Sequence, residues 1–133
     1  VYIENKLYSQ IDKGLLALVC FCVNDTNQDI NLMVKKIINL RIFEDNNKKF
    51  NLSLKDIKGS IMLVSQFTLA ADTKKGNRPS FFNAMEPTKA IEFYNEMTEQ
   101  FKNNGIPTQT GVFGASMQIE LVNDGPVTIM LET

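Results

Sequence analysis

Leu15 to Val23 is an unbroken apolar run that follows Gly14, and no other stretch narrows the fold as far. It does not alternate, so it is not a strand with one wet face, and it is about half of the ~20 residues that a membrane-spanning helix requires. A short continuous run of this kind reads as a strand buried on both faces, predicted to lie at the centre of a sheet. Ile61 to Leu69, which follows Gly59, reads as a second such strand.

Helical periodicity marks two further segments. Thr26 is a predicted N-cap with Asp29 three residues on, and Ile30, Val34, Ile37 and Ile38 follow on one face up to about Asn39. Pro87 suits the first turn of a second helix, in which Ala90, Tyr94, Met97 and Phe101 recur at helical spacing before Asn103-Asn104-Gly105 closes it. Leu40 to Phe43 reads as a short strand, Glu44 to Lys49 as a turn, and Thr73 to Pro79 as an exposed loop. Met117 to Val122 alternates as a half-buried strand does, Asn123 to Pro126 is a turn, and Val127 to Leu131 is the last predicted strand. The order predicts an α/β fold, a layered β/β/α single domain over residues 1–133 with two helices on a largely β, barrel-like core.

Several function classes drop out on composition. The 133 residues contain no histidine, which removes Ser-His and Cys-His nucleophile pairs, a histidine general base and histidine metal ligands. Cys20 and Cys22 are too few for a zinc site and read as core packing in a chain predicted to be cytoplasmic. Val1 is followed by none of the basic and apolar segments of a signal peptide. No metal and no cofactor is called for. A net charge of −1 argues against a protein that coats nucleic acid, though Lys74, Lys75 and Arg78 cluster around Gly76, and Lys35, Lys36 and Arg41 form a second group. Taken alone, either group reads as a solvated face.

Two polar segments stand out against this background. Ser65-Gln66-Phe67-Thr68 ends a strand that otherwise reads Ile-Met-Leu-Val, a frequent place for a site, although Ser65 and Thr68 could equally satisfy backbone groups there. Asn123-Asp124-Gly125-Pro126-Val127-Thr128 is first of all a turn; Gly allows close approach, and Pro is the residue at which a cis peptide costs only ~0.5–1 kcal/mol rather than ~3. Gly111-Val112-Phe113-Gly114 matches an RNA-backbone clamp only as four letters, and Asp72, Glu120 and Asp124 have no spacing that places them as an acid/base pair.

Read together, the run from Leu63 through Ser65-Gln-Phe-Thr68 to Asn77-Arg-Pro-Ser-Phe81, with Thr108-Gln-Thr-Gly-Val-Phe113 and Leu121-Val-Asn-Asp-Gly-Pro-Val-Thr128, resembles the D-aminoacyl-tRNA deacylases. The resemblance runs from Val1 to the C-terminus. The family's first strand, which carries a Gln-Arg-Val segment, lies upstream of Val1, so the domain is expected to lack it.

The resemblance implies an enzyme that hydrolyses the ester of D-aminoacyl-tRNA, and of glycyl-tRNA mischarged on tRNA(Ala). It implies that the backbone N–H groups of Phe67 and Thr68 form an oxyanion hole, with the Thr68 hydroxyl as a further candidate. Ser65 and Gln66 would bind the terminal nucleoside, with Phe113 and Met117 as an apolar wall. Gly125 and Pro126 would form a Gly-cis-Pro turn that enters the pocket of a second subunit and leaves no space for an L side chain. The implied partners are the tRNA 3′ end and a second copy of the chain, with no membrane. The RNA 2′-hydroxyl would help to activate water, and Lys74, Lys75 and Arg78 would lie near phosphates of the 3′ end.

Two readings compete with this one. Thr68 or Ser65 as a covalent nucleophile would need a lysine or carboxylate base, and neither is adjacent in sequence. A non-catalytic dimeric module that binds aminoacyl-tRNA ends is the alternative from a different class.

Overall fold

The computed structural model describes residues 1–133. A small hairpin opens the chain: β1 (Tyr2–Ile3) pairs antiparallel with β2 (Lys6–Leu7), turned by Glu4 and Asn5 at positive φ. Then follow β3 (Gly14–Val19), α1 (Asn27–Asn39), β4 (Phe43–Glu44), β5 (Phe50–Leu52), β6 (Ser60–Ser65), a 3-10 turn at Phe67–Ala70, α2 (Pro87–Asn103) and β7 (Thr108–Thr110). Strands β4 and β5 form a second antiparallel pair around a turn in which Asp45 accepts from the N–H groups of Asn47 and Lys49.

The main sheet has the order β3-β6-β7 and is parallel throughout, with Gly14 opposite Ser60, Val19 opposite Ser65 and Ile61 opposite Thr108. Gly14 permits the closest approach in this register, because a Cβ there would overlap the Ser60 carbonyl. Both crossovers are helical, as parallel neighbours require. The α/β expectation with two helices on a β core therefore holds, and the helices begin and end where capping chemistry predicts. The Thr26 N–H donates to Asp29 Oδ2 at 2.8 Å, and Ile30, Val34, Ile37 and Ile38 are the buried face of α1. Pro87 starts α2. At its end the Ile106 N–H reaches the Phe101 carbonyl at 3.1 Å, and the Gly105 N–H reaches that of Lys102 at 2.9 Å, with Gly105 at φ +77°.

Strand β6 is the axis of the core. Ile61 and Leu63 face the helices and pack with Phe21, Ile30, Val34, Met97 and Phe101, while Met62 and Val64 face the opposite side and pack with Val1. Ile61, Leu63 and Phe101 are fully buried, each a contribution of about 1.5–3 kcal/mol. The Tyr94 hydroxyl donates to the Leu63 carbonyl at 2.7 Å and ties α2 to this strand.

Six expectations need correction. The run from Leu15 is an edge strand of its sheet rather than the central one, with Leu18 43% exposed; β6, flanked on both sides, takes the centre. The strand expected over Ile61–Leu69 stops at Ser65, where the polar residues leave the ladder and a 3-10 turn begins. The strand expected over Leu40–Phe43 forms instead at Phe43–Glu44, where β5 can pair with it. Met117–Val122 and Val127–Leu131 are not strands: Gln118 bridges Tyr2, and beyond Gln118 no backbone group is bonded to another. Met117 and Ile119 still turn inward as the alternation requires, but Leu121 and Val122 are exposed. Cys22 is exposed as well, so only Cys20 is even partly in the interior. No helix is long and apolar enough to cross a membrane.

Candidate active site

The C-terminal end of a central parallel strand is where an open α/β sheet leaves a crevice, and β6 delivers Ser65-Gln66-Phe67-Thr68 to that end. Ser65 is the last paired residue, opposite Val19, and the Gln66 N–H donates to the Val19 carbonyl at 2.7 Å. The chain then tightens into the 3-10 turn, closed by the Leu69 N–H on the Gln66 carbonyl at 3.2 Å and the Ala71 N–H on that of Thr68 at 3.1 Å. The first N–H groups of any such turn have no partner within it. Those of Phe67 and Thr68 find no acceptor elsewhere in the chain either, and both residues are exposed. Two adjacent main-chain donors at the end of the strand are thus without a partner in the chain.

The surroundings hold this turn in place. The Gln66 side-chain amide donates to the Thr68 hydroxyl at 2.5 Å. The Phe67 ring stands edge-on to Phe81 with centroids 5.1 Å apart, and Cys20 Sγ lies 3.5 Å from the Phe67 carbonyl. Burial pushes the Cys20 thiol up to about 11, so it stays protonated and is no nucleophile at neutral pH. No three His, Cys, Asp or Glu side chains converge where they could hold a metal ion.

No hydrogen bond or ring pair joins the other expected residues to these four. Phe113 packs on the helix side of the sheet, its ring 5.9 Å from Tyr94. Met117 packs on the other side with Val64, and its sulfur lies 3.4 Å from the Val112 nitrogen. Gly125 and Pro126 sit at the tip of an exposed turn joined by a cis peptide, Gly125 at φ +141°. Asn123 closes that turn from both ends: its Oδ1 accepts from the Val127 N–H at 3.0 Å, and its Nδ2 donates to Thr128 Oγ1 at 3.0 Å. No hydrogen bond links this turn to residues 65–68.

The family resemblance implies the Phe67 and Thr68 donors but not the 3-10 turn that leaves them free, since the residues predict a strand through Leu69. The available signal was Ser-Gln-x-Thr directly after a continuous apolar run, since polar side chains at that point compete with the ladder.

Comparison with known proteins bears on this arrangement. The D-Tyr-tRNA(Tyr) deacylase family matches residues 1–132. The structure of a c-Myc DNA unwinding element binding protein is 41% identical, with a TM-score of 0.94 over 99% of this chain and 90% of that one. A probable eukaryotic D-amino acid tRNA deacylase, 16% identical, shares the fold with a TM-score of 0.72 over 86% of this chain and 83% of its own.

Proposed function

The chain belongs to the D-Tyr-tRNA(Tyr) deacylase family, hydrolases of aminoacyl-tRNA esters, and from that premise we propose how its residues divide the work. The ester carbonyl of a D-aminoacyl-tRNA sits at the end of β6, and the Phe67 and Thr68 N–H groups receive the oxyanion as water adds. The observation that carries this reading is that both donors are free and adjacent. A single preorganised donor of this kind is worth about 2.7–4 kcal/mol of transition-state stabilisation.

Ser65 and Gln66 position the terminal nucleoside, while Phe113 and Met117 give apolar surface. The 2′-hydroxyl of that nucleoside, both donor and acceptor, orients the attacking water. The leaving 3′-oxygen takes up the proton that water gives up, so the products are the free amino acid and intact tRNA.

Selection of the D-amino acid, and admission of glycine, rests in this proposal on Gly125 and Pro126 supplied by a second copy of the chain. Rejection by a rigid clash discriminates more strongly than preference for the right ligand. Support for a second copy comes from the C-terminal segment. Beyond Gln118 no backbone group bonds to another backbone group, and Leu121, Val122, Ile129 and Met130 are exposed, Val122 by 92%. Free polar backbone beside exposed apolar side chains is surface that pairing would satisfy.

The test is a time course of ester loss from D- and L-tyrosyl-tRNA(Tyr). The D-ester should be lost at least ~10²-fold faster than the L-ester, the scale of discrimination that shape exclusion supplies. Equal rates would remove the chiral reading, and loss of neither would favour a binding module.

A further inference from the structure

We propose that the loop from Asp72 to Ser80 is a phosphate-binding arm for the single-stranded 3′ end of the RNA substrate, its cations being Lys74, Lys75 and Arg78. The proposal rests on the deacylase reading and names the surface by which that site holds its polyanion.

Position comes first. The loop begins one residue after the 3-10 turn that carries the free Phe67 and Thr68 donors, and its base is pinned by two reciprocal bonds: Asp72 N–H to the Ser80 carbonyl at 2.8 Å, and Ser80 N–H to the Asp72 carbonyl at 2.9 Å. The Phe67–Phe81 ring pair fixes that base a second time, directly to a residue of the donor pair. From the Asp72–Ser80 bridge the chain reaches at most ~14 Å out to Gly76, at about 3.3–3.6 Å per residue. Gly76, at φ +66° with open space where a Cβ would be, makes the reversal at the tip.

Charge is the second point. Lys74, Lys75 and Arg78 stand against one carboxylate, Asp72, so the loop carries +2; with −1 for the whole chain, everything outside it carries −3. The Asp72 carboxylate is engaged in the loop's own geometry, accepting from the Lys74 N–H at 3.0 Å. None of the three cations is in a salt bridge; the chain's single bridge joins Lys102 to Glu99 at 2.9 Å. All residues from Asp72 to Pro79 are exposed. Unpaired cations on an anchored loop, on an otherwise acidic surface, focus attraction for an anion beside the place where the ester must sit. Lys35 and Lys36 lack that relation, since they lie on the exposed face of α1.

Phosphate contacts announce themselves through salt. Each phosphate neutralised on a single strand contributes about −0.7 to the slope of log affinity against log salt, so three cations contribute about −2. The experiment compares the parent protein, the triple variant Lys74→Ala/Lys75→Ala/Arg78→Ala and the control Lys35→Ala/Lys36→Ala. The substrates are D-tyrosyl-tRNA(Tyr) and the D-tyrosyl ester of adenosine, which has no phosphate.

On the tRNA, the triple variant's kcat/KM should show a salt slope shallower by about 2, so that between 50 and 200 mM salt the parent protein loses roughly 16-fold more than the variant does. On the adenosine ester the two should be equal, and the control should match the parent protein on both. An unchanged slope, or an equal loss on both substrates, overturns the proposal; the second outcome would make the loop part of the pocket's scaffold. If the parent protein hydrolyses neither ester, the deacylase reading fails separately. The arm is then judged by anisotropy with a short single-stranded RNA of the tRNA 3′ end, where equal binding by parent and triple variant overturns it.

Discussion

The Gln66 side-chain amide donates to the Thr68 hydroxyl at 2.5 Å, across the first turn of the 3-10 segment that follows β6. The direction of this bond matters for chemistry. The hydroxyl oxygen is occupied as an acceptor, and its own proton is handed to no carboxylate, lysine or other base. An alcohol without a base is a poor nucleophile. The same bond braces the turn whose Phe67 and Thr68 N–H groups remain free, so in the proposed mechanism Gln66 and Thr68 support a main-chain site. Replacing Gln66 with Ala should leave Tm within a few degrees, because an exposed hydrogen bond contributes only about 0.5–1.5 kcal/mol. It should lower kcat through loss of the brace and also raise KM, because Gln66 positions the terminal nucleoside in the proposed mechanism. A scan of Tm beside steady-state kinetics checks both; unchanged kcat would show that the brace is dispensable.

Gly125→Ala separates activity from folding. Gly125 has φ +141°, and a Cβ there would lie 2.7 Å from Val127 Cγ2 and 3.0 Å from the Val127 nitrogen. Strain of about 1–3 kcal/mol would be relieved by moving the turn, which is exposed and packs on nothing essential to the core. Tm should therefore change little, while the ratio of D- to L-tyrosyl-tRNA hydrolysis falls. Circular dichroism and the two deacylation rates measure this; a preserved ratio would remove Gly125 from chiral selection.

Gly14→Ala should do the reverse. The new methyl group would overlap the Ser60 carbonyl at the first register pair of β3 and β6. Overpacking of this kind costs about 1–3 kcal/mol, and here the obstacle is backbone in the central sheet. Urea denaturation should show a lower midpoint, with any surviving folded protein keeping its D-to-L ratio.

The response to pH should be quiet near neutrality and pronounced at high pH. With no histidine, no bell-shaped inflection from an enzyme group is expected in kcat/KM around pH 6–7. Burial pushes Cys20 up from 9.0 to about 11 and Tyr94 from 10.0 to about 12. Raised folded values mean that the folded state holds its proton longer than the unfolded chain. The stabilisation is full below pH 9 and is lost as pH rises through 9 to 11 for Cys20 and 10 to 12 for Tyr94. Cys20→Ser should flatten the first of those windows in urea midpoints measured against pH. At the acid end, backbone hydrogen bonds from Thr26, Lys49 and Ser53 hold Asp29, Asp45 and Asp56 below the usual carboxylate range. Their contribution is present above about pH 4 and is lost as pH falls through the lowered values.

How far residues alone reveal this molecule differs by element. Both helices are legible because Thr26 with Asp29, Pro87 and Gly105 mark their ends, and their apolar faces repeat at the helical period. The run from Leu15 was apolar enough for the centre of a sheet yet lies at an edge, since strand order is decided by crossovers that a local pattern does not encode. Thr108–Thr110 pairs as β7 without an apolar run, carried by its register against Ile61, Met62 and Leu63. Met117–Val122 has the alternation of a strand but bonds to a neighbour only at Gln118, which bridges Tyr2. The site shows the same division. Ser65 to Thr68 and Gly125-Pro126 are visible as residue types, whereas the freedom of two N–H groups depends on which carbonyls the fold brings near.

Single-turnover hydrolysis of D-tyrosyl-tRNA(Tyr) labelled in the amino acid, by the parent protein and by Thr68→Ala, tests the main-chain mechanism most directly. We expect the variant to retain hydrolysis within about tenfold, because the alanine keeps the Phe67 and Thr68-position N–H donors that carry the larger effect, and we expect no label on the protein at any time point. Loss of the reaction in the variant, together with labelled acyl-enzyme trapped on Thr68 of the parent protein, would contradict it.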